Sequence, residues 1–241
     1  MIKVENVEVF NFEGAIRGCR NPKQSHYKSD SHICPGGSEF DDCTGEPPIC
    51  PRKHCDFKYD IFCIGKADLE LMQNLFKAGA DGNFAHRKFL RQIFVCMDIT
   101  APDYFFKEFS TYKVGVTENS TSTMHTIHKR DLTLDDFSHE HLIEGTTELS
   151  LKGTIELINR HRRRFVESGD KEEWYQIIQL LPMSYNYTRT VTFNYENVAN
   201  MIKQRSGHKL SEWRSFVETL KDLPYVREIG GIEDEIKCDN E

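Results

Sequence analysis

Residues 187–194, YTRTVTFN, alternate small or apolar with polar side chains over a full strand length, and they sit between two strongly helical stretches. A period of two over eight residues, rich in Thr, Val and Phe, predicts a half-buried β-strand. Pro182 ends the helix predicted over 171–181, and helices predicted over 195–205 and 209–222 follow the strand. Strands and helices both occur along the chain, which reads as α+β.

The rest of the chain fits that frame. Residues 2–12 read as a strand. Residues 13–31, rich in Gly, Asn, Ser and Asp, read as a loop with a short helical turn. A helix is predicted from Ala67 to Ala78, with Leu69, Met72, Leu75 and Phe76 on one face. The apolar stretch Phe89–Ile99 suits a buried strand, and Pro102 fits the first turn of a helix running to Lys113. Residues 114–124 are Ser/Thr-rich without apolar periodicity and read as a loop. Helices are predicted over 150–167 and 171–181, separated by Gly169-Asp170. At 241 residues the chain is expected to form one domain over 1–229, with an irregular Cys/Pro/Gly-rich insertion at 32–65 and an acidic, disordered tail at 230–241.

Charge and targeting signals narrow the function classes. A formal net charge of −7 argues against general nucleic-acid binding, which needs a broad basic surface to release counterions. The one basic cluster, Arg160–Arg164, lies on a predicted helix whose apolar face carries Leu157 and Phe165, so its arginines are expected to face solvent. No apolar run approaches bilayer length, and the N-terminus lacks the features of a secretory signal. The expectation is a cytoplasmic protein with reduced cysteines. Five of its eight cysteines fall in the insertion. Cys34, Cys43, Cys50 and Cys55, with His32 and His54 nearby, form a candidate structural zinc site, since four thiolates can take a tetrahedral ion. The spacing contains no paired Cys-x-x-Cys.

The order of short motifs carries more. Leu181-Pro182, Tyr187-Thr188-Arg189, Asn194, Arg205 and Glu212-Trp213 run in series. Upstream, His86 precedes an apolar strand, a helix and a Ser/Thr/Asn segment. Over roughly residues 84–225 this resembles the flavin-dependent thymidylate synthases. That family has Leu-Pro, a Thr-rich strand ending in Asn-x-Arg, a helix ending in Arg, and an Arg-His-Arg-x-x-Ser-x-Asn-Glu-x-Ser-x-Arg signature. The departures are specific. The signature begins here as Thr111-Tyr112-Lys113, its Asn-Glu pair is reversed as Glu118-Asn119, and its last arginine falls on Thr123. Gln179 and Glu108 stand where an arginine and a glutamine are expected, and Asn-x-Arg reads Asn194-Tyr195-Glu196. Two cations that would hold a nucleotide phosphate are thus replaced, and hydroxyls or amides substitute poorly for them.

The resemblance implies an α+β enzyme that methylates a uracil nucleotide at C5, converting dUMP to dTMP with FAD, a folate carbon donor and NADPH, in a homotetramer with sites between subunits. It implies Arg205 at the base, as an electrostatic stabiliser that stays protonated. His86, Lys113, Asn119 and Asn194 would contact flavin, and Glu108, Ser120, Ser122, Arg189 and Arg205 the substrate. Asn194 is equally suited to cap the following helix. Two other functions are open: a nucleotide- or flavin-binding protein of the same fold with its chemistry lost, and an enzyme for another pyrimidine, with Glu108 and Glu118 reading exocyclic groups.

Overall fold

A computed structural model describes residues 2–34, 61–79 and 84–232. Its elements in order are β1 (Lys3–Phe10), α1 (Phe12–Arg20), β2 (His32–Cys34), β3 (Ile61–Cys63), α2 (Lys66–Ala78), β4 (Phe94–Pro102), α3 (Asp103–Phe109), β5 (Thr117–Ser120), α4 (Thr123–Thr126), α5 (Thr147–Ser168), α6 (Lys171–Leu180), β6 (Asn186–Asn194), α7 (Tyr195–Arg205), α8 (Ser211–Lys221) and α9 (Val226–Gly230). The α+β expectation holds, and the chain packs as two compact units.

The first unit takes residues 1–7, 96–192 and 209–216. It holds most of a four-stranded sheet of order β1-β4-β6-β5. Along β4, Met97, Ile99 and Ala101 are buried while Cys96, Asp98 and Thr100 are half-buried, the alternation a pleated strand imposes. Polar side chains tie neighbouring strands together. Asp98 accepts from Asn6 at 2.7 Å and from Thr190 at 2.6 Å, and the hydroxyls of Thr100 and Thr188 share a bond of 2.7 Å. Beside the sheet lies an aromatic core. The Trp213 ring sits 4.6 Å from Phe105, with Phe109 and Phe216 around it, and all four are fully buried. A second apolar cluster joins Ile127, Leu132, Phe137, Leu151, Ile155, Ile158 and Ile177. It seats the α5–α6 hairpin, whose turn works because Gly169 takes φ 70°, a left-handed conformation that glycine adopts without strain, and Asp170 then caps α6 through Glu172 N at 3.0 Å.

The second unit takes residues 8–95, 193–208 and 217–241. Phe12, Ile16, Leu69, Met72, Ile93, Val198, Met201 and Tyr225 are buried in it. Deep within, Arg20 Nε donates to Asp68 at 2.6 Å, and both side chains are almost fully buried. The Asp68 carboxylate also accepts from the hydroxyls of Ser29 and Ser31 at 2.7 Å each. The ends of the Cys-rich segment meet as β2 and β3, antiparallel with Ile33 opposite Phe62. Cys43, Cys50 and Cys55 lie outside the described residues, and Cys34 closes β2. Among the described residues no cluster of His, Cys, Asp or Glu is arranged to hold a metal ion.

Several boundaries differ from the sequence reading, each for a physical reason. Residues 12–20 form a helix, not a loop, because Phe12, Ala15 and Ile16 share a buried face. Its glycines mark close approach: a Cβ on Gly18 would stand 2.5 Å from Gln92 Oε1. The expected strand over Phe89–Ile99 splits into a 3₁₀ stretch, Phe84–Gln92, and β4. Pro102 ends that strand and caps a shorter helix, so 110–113 is not helical. The expected loop at 114–124 contains β5. Thr117–Ser120 pairs antiparallel with β6, placing Glu118 opposite Val191 and Ser120 opposite Arg189. Its polar, largely exposed side chains give a sheet-edge strand no apolar rhythm to read. Residues 233–241 of the expected tail lie outside the described residues, and Gly230 ends α9.

Candidate functional site

Among the described residues, a cavity lies in each unit. The first unit's cavity, about 330 Å³, is lined by Asp103, Ser120, Thr123, Leu181, Tyr185, Tyr187 and Arg189, with Ile178, Pro182 and Met183 completing the wall. Its organising group is Arg189. The position follows from the β6 alternation, since Tyr187 and Arg189 are two apart and share a face of the strand. The guanidinium lies 4.2 Å from the Phe106 ring centroid and 5.2 Å from that of Tyr187, a geometry that planar arginine favours over lysine. One terminal nitrogen of Arg189 binds the Glu118 carboxylate and reaches Ser110 Oγ at 3.4 Å. The other donates to Tyr187 OH at 2.7 Å, and that hydroxyl donates to Asp103 Oδ1 at 3.2 Å. Lys107 pairs with Asp103 at 3.3 Å. Burial works against the Arg189 charge, but Glu118 and Tyr187 outweigh it and raise its pKa. Burial also raises the Tyr187 pKa, partly offset by Arg189, so the phenol keeps its proton. The result is a polar wall of hydroxyls with one lining cation and one lining carboxylate, each paired with an opposite charge beside it.

The second unit's cavity, about 600 Å³, has a different lining. Phe76, Leu90, Val198, Ile202 and Ile229 make it apolar, while Arg87, Asn200, Lys203 and Gln204 supply polar groups. Arg87 lies 3.9 Å from the Phe76 ring centroid and donates Nε to Phe76 O at 3.0 Å. Its terminal nitrogens bind no carboxylate among the described residues. Apolar walls with a few fixed polar groups, at this volume, suit a large flat heteroaromatic ligand with an anionic end. In the first turn of α7, Glu196 is 8% exposed and neither carboxylate oxygen has a hydrogen-bond partner. Burial raises its pKa, with Arg87 and Arg91 pulling the other way. An acid held there opposes a phosphate at that point.

Of the residues expected from sequence, Ser120 and Arg189 line the first unit's cavity. Glu108 is half-buried on α3, Lys113 and Asn119 are exposed, and Ser122 is the exposed residue preceding α4. In the second unit, His86 is exposed in the 3₁₀ stretch. Asn194 is buried and forms a reciprocal capping box with Asn197, through bonds of 3.1 and 3.2 Å. Its amide oxygen therefore serves the helix start. Arg205, half-buried in the last turn of α7, is not among the residues lining either cavity, although Lys203 and Gln204 are. The Arg160–Arg164 cluster is largely charge-matched. Arg162 and Arg163 both hold Asp131, at 2.5 and 2.6 Å, and Arg164 and His161 meet Glu173 at 3.6 and 2.5 Å. Arg162 is also half-buried rather than solvent-facing, because α5 packs it against the segment carrying Asp131.

Sequence reasoning placed Thr123 in the signature region and missed Asp103, Tyr185, Phe106 and Arg87. Tyr187 was legible as the aromatic partner two residues from Arg189. The others come from separate elements and carry no local signal.

The α+β chain thus combines a four-stranded sheet with a polar, arginine-centred cavity in one unit and a larger apolar one in the other. No protein-family model and no curated protein matches the sequence. Solved structures do. Thymidylate synthase X (ThyX) from Helicobacter pylori, in a crystal structure with FAD and dUMP, is 17% identical over 95% of this chain and 97% of that one, with a TM-score of 0.60. A second structure of the same flavin-dependent enzyme, complexed with FAD and dUMP, is 16% identical over 94% and 97%, with a TM-score of 0.58. The chain thus has the fold of the flavin-dependent thymidylate synthases over nearly its whole length. No helix among the described residues is long and apolar enough to cross a membrane.

Proposed function

We propose that this protein binds a pyrimidine nucleotide in the Arg189 cavity and, with FAD, a folate carbon donor and NADPH, methylates a uracil ring at C5, converting dUMP to dTMP. The observation that carries this reading is the stacked, hydrogen-bonded Arg189 at the wall of a cavity in a fold whose similar structures hold FAD and dUMP. Ring carbonyls need fixed donors, and the hydroxyls of Ser120 and Thr123 and the Arg189 guanidinium line the cavity. Arg205 lines neither cavity of its own chain, and by the resemblance it would stabilise negative charge building on a ring bound by another subunit of the tetramer. Reduced flavin supplies the hydride in such chemistry. The apolar walls and Arg87 of the second unit's cavity fit the flavin ring system and its anionic end, and Asn200 and Gln204 offer it hydrogen bonds. His86, Lys113, Asn119 and Asn194 are the further flavin contacts in this reading, and a homotetramer is its assembly.

A second reading, a protein that binds nucleotide or flavin without the chemistry, draws on two specific observations. Arg189 is already matched by Glu118, and Glu196 occupies the place of a cation. The tests separate the two. Purified protein that is yellow, or becomes so with added FAD, and rescues a thymidine-requiring strain supports the enzyme. Ligand binding without rescue supports the binder. Arg189→Ala is expected to weaken dUMP binding by about tenfold, because it releases the Tyr187 hydroxyl and the Phe106 face that shape the cavity wall, measured by calorimetry. Arg205→Ala is expected to abolish rescue, and unchanged growth would remove Arg205 from the site.

A further inference from the structure

We infer that Glu118 makes ligand recognition in the Arg189 cavity independent of phosphate, so that an uncharged pyrimidine nucleoside binds there nearly as well as its monophosphate. This rests on the pyrimidine reading of the cavity and adds a specificity determinant to it. Among the described lining residues, Arg189 is the only cation and Asp103 the only carboxylate. Each is already charge-matched. Glu118 binds Arg189 from β5, and Lys107 sits 3.3 Å from Asp103. The lining cation and the lining carboxylate are thus each balanced by a neighbouring charge. The Arg189–Glu118 pairing is fixed by the fold. Glu118 and Arg189 come from adjacent antiparallel strands, and both are mostly buried, at 23% and 18% side-chain exposure.

The guanidinium is also spoken for geometrically. One terminal nitrogen serves Glu118 and Ser110, the other serves Tyr187, and a face lies against Phe106. A phosphate dianion entering here would have to displace Glu118, leaving a half-buried carboxylate unpaired, and would meet Asp103 as well. Releasing a partnered carboxylate costs about as much as the new contact returns. The uncharged edge of a pyrimidine ring and a sugar hydroxyl, by contrast, need only what the wall offers: Ser120, Thr123 and Tyr185 beside the polarised Tyr187–Asp103 pair.

The experiment is calorimetric titration of the full-length protein with 2′-deoxyuridine and with dUMP. Wild-type protein is expected to bind the two within about fivefold of each other, the ceiling for an unpaired ionic contact in a wet site. Glu118→Gln keeps the shape and removes the competing charge, so it is expected to shift preference toward dUMP by about ten- to a hundredfold. A wild-type preference for dUMP above tenfold overturns the inference while leaving the pyrimidine reading intact. An unchanged ratio in a folded E118Q protein does the same. If neither compound binds, the pyrimidine reading itself falls and takes this inference with it. A salt series on wild-type protein alone gives an independent check. Affinity for dUMP should change less than about twofold between roughly 50 and 500 mM salt, because no net counterion charge is displaced. A tenfold fall would overturn the inference.

Discussion

The two units differ in how completely they partner buried charge. In the first, one core is aromatic around Trp213, the buried Glu212 carboxylate accepts from the Tyr104 hydroxyl, and the ions lining the cavity wall each have a partner. In the second, charge goes to the interior. Arg20 and Asp68 are almost fully buried against each other, and Glu196 lies buried with no hydrogen-bond partner. The difference separates two uses of polarity. The first unit's cavity-wall charges are matched in pairs. The second unit's polar groups hold segments together, as Asp68 does by gathering Arg20, Ser29 and Ser31, or are only partly compensated, as Glu196 is by Arg87 and Arg91.

The contrast can be broken by mutation. The largest effect is expected from Trp213→Ala, which empties the first unit's aromatic core and should cost about 4 kcal/mol, read by urea denaturation with no pH dependence of its own. A loss under 1 kcal/mol would show that this core does not hold the unit. Asp68→Asn should cost about 3 kcal/mol by leaving Arg20 buried without its counter-ion. Here pH matters. Burial alone would raise the Asp68 pKa, but hydrogen bonds from Ser31, Ser29 and Arg20 outweigh it and lower the value. The stabilisation is therefore present above the unfolded carboxyl pKa and lost as pH falls through the lower folded value. The variant should show a flatter stability profile in that acid window. Wild-type and variant profiles of equal slope would refute the assignment.

The smallest effect has the opposite sign. Burial raises the Glu196 pKa, against the pull of Arg87 and Arg91. A raised carboxyl favours the fold at low pH and weakens it as pH rises through the folded value. Glu196→Gln should remove that loss and stabilise the protein at neutral pH by about 1 kcal/mol. A destabilised variant would mean that Glu196 has a stabilising ionic role, and the contrast between the units would then narrow.

Much of the secondary structure was legible because it depends on local periodicity. The strand 187–194 and the helices at 66–78, 147–168, 171–180 and 195–205 fall within a few residues of where alternation, apolar faces and Gly or Pro punctuation put them. The fold was legible from the order of Leu181-Pro182, Asn194, Arg205 and Trp213. The failures have a common cause. Helix α1 was hidden because Gly18 answers to Gln92, 74 residues away, and β5 because an edge strand pairs through its backbone, whatever its side chains. Arg189 could be named as a substrate contact, but not the ring that stacks on it or the acid that neutralises it.

The amino-acid order alone thus determined the α+β class, the succession of elements and the identity of the lone arginine on β6, since each is written in spacing along one segment. Only the tertiary structure decided that Glu118 faces that arginine, that Asn194 caps its helix, and that Asp68 lies buried with Arg20. Those outcomes depend on distances between segments far apart in the chain, and electrostatics acts through space, not along the backbone.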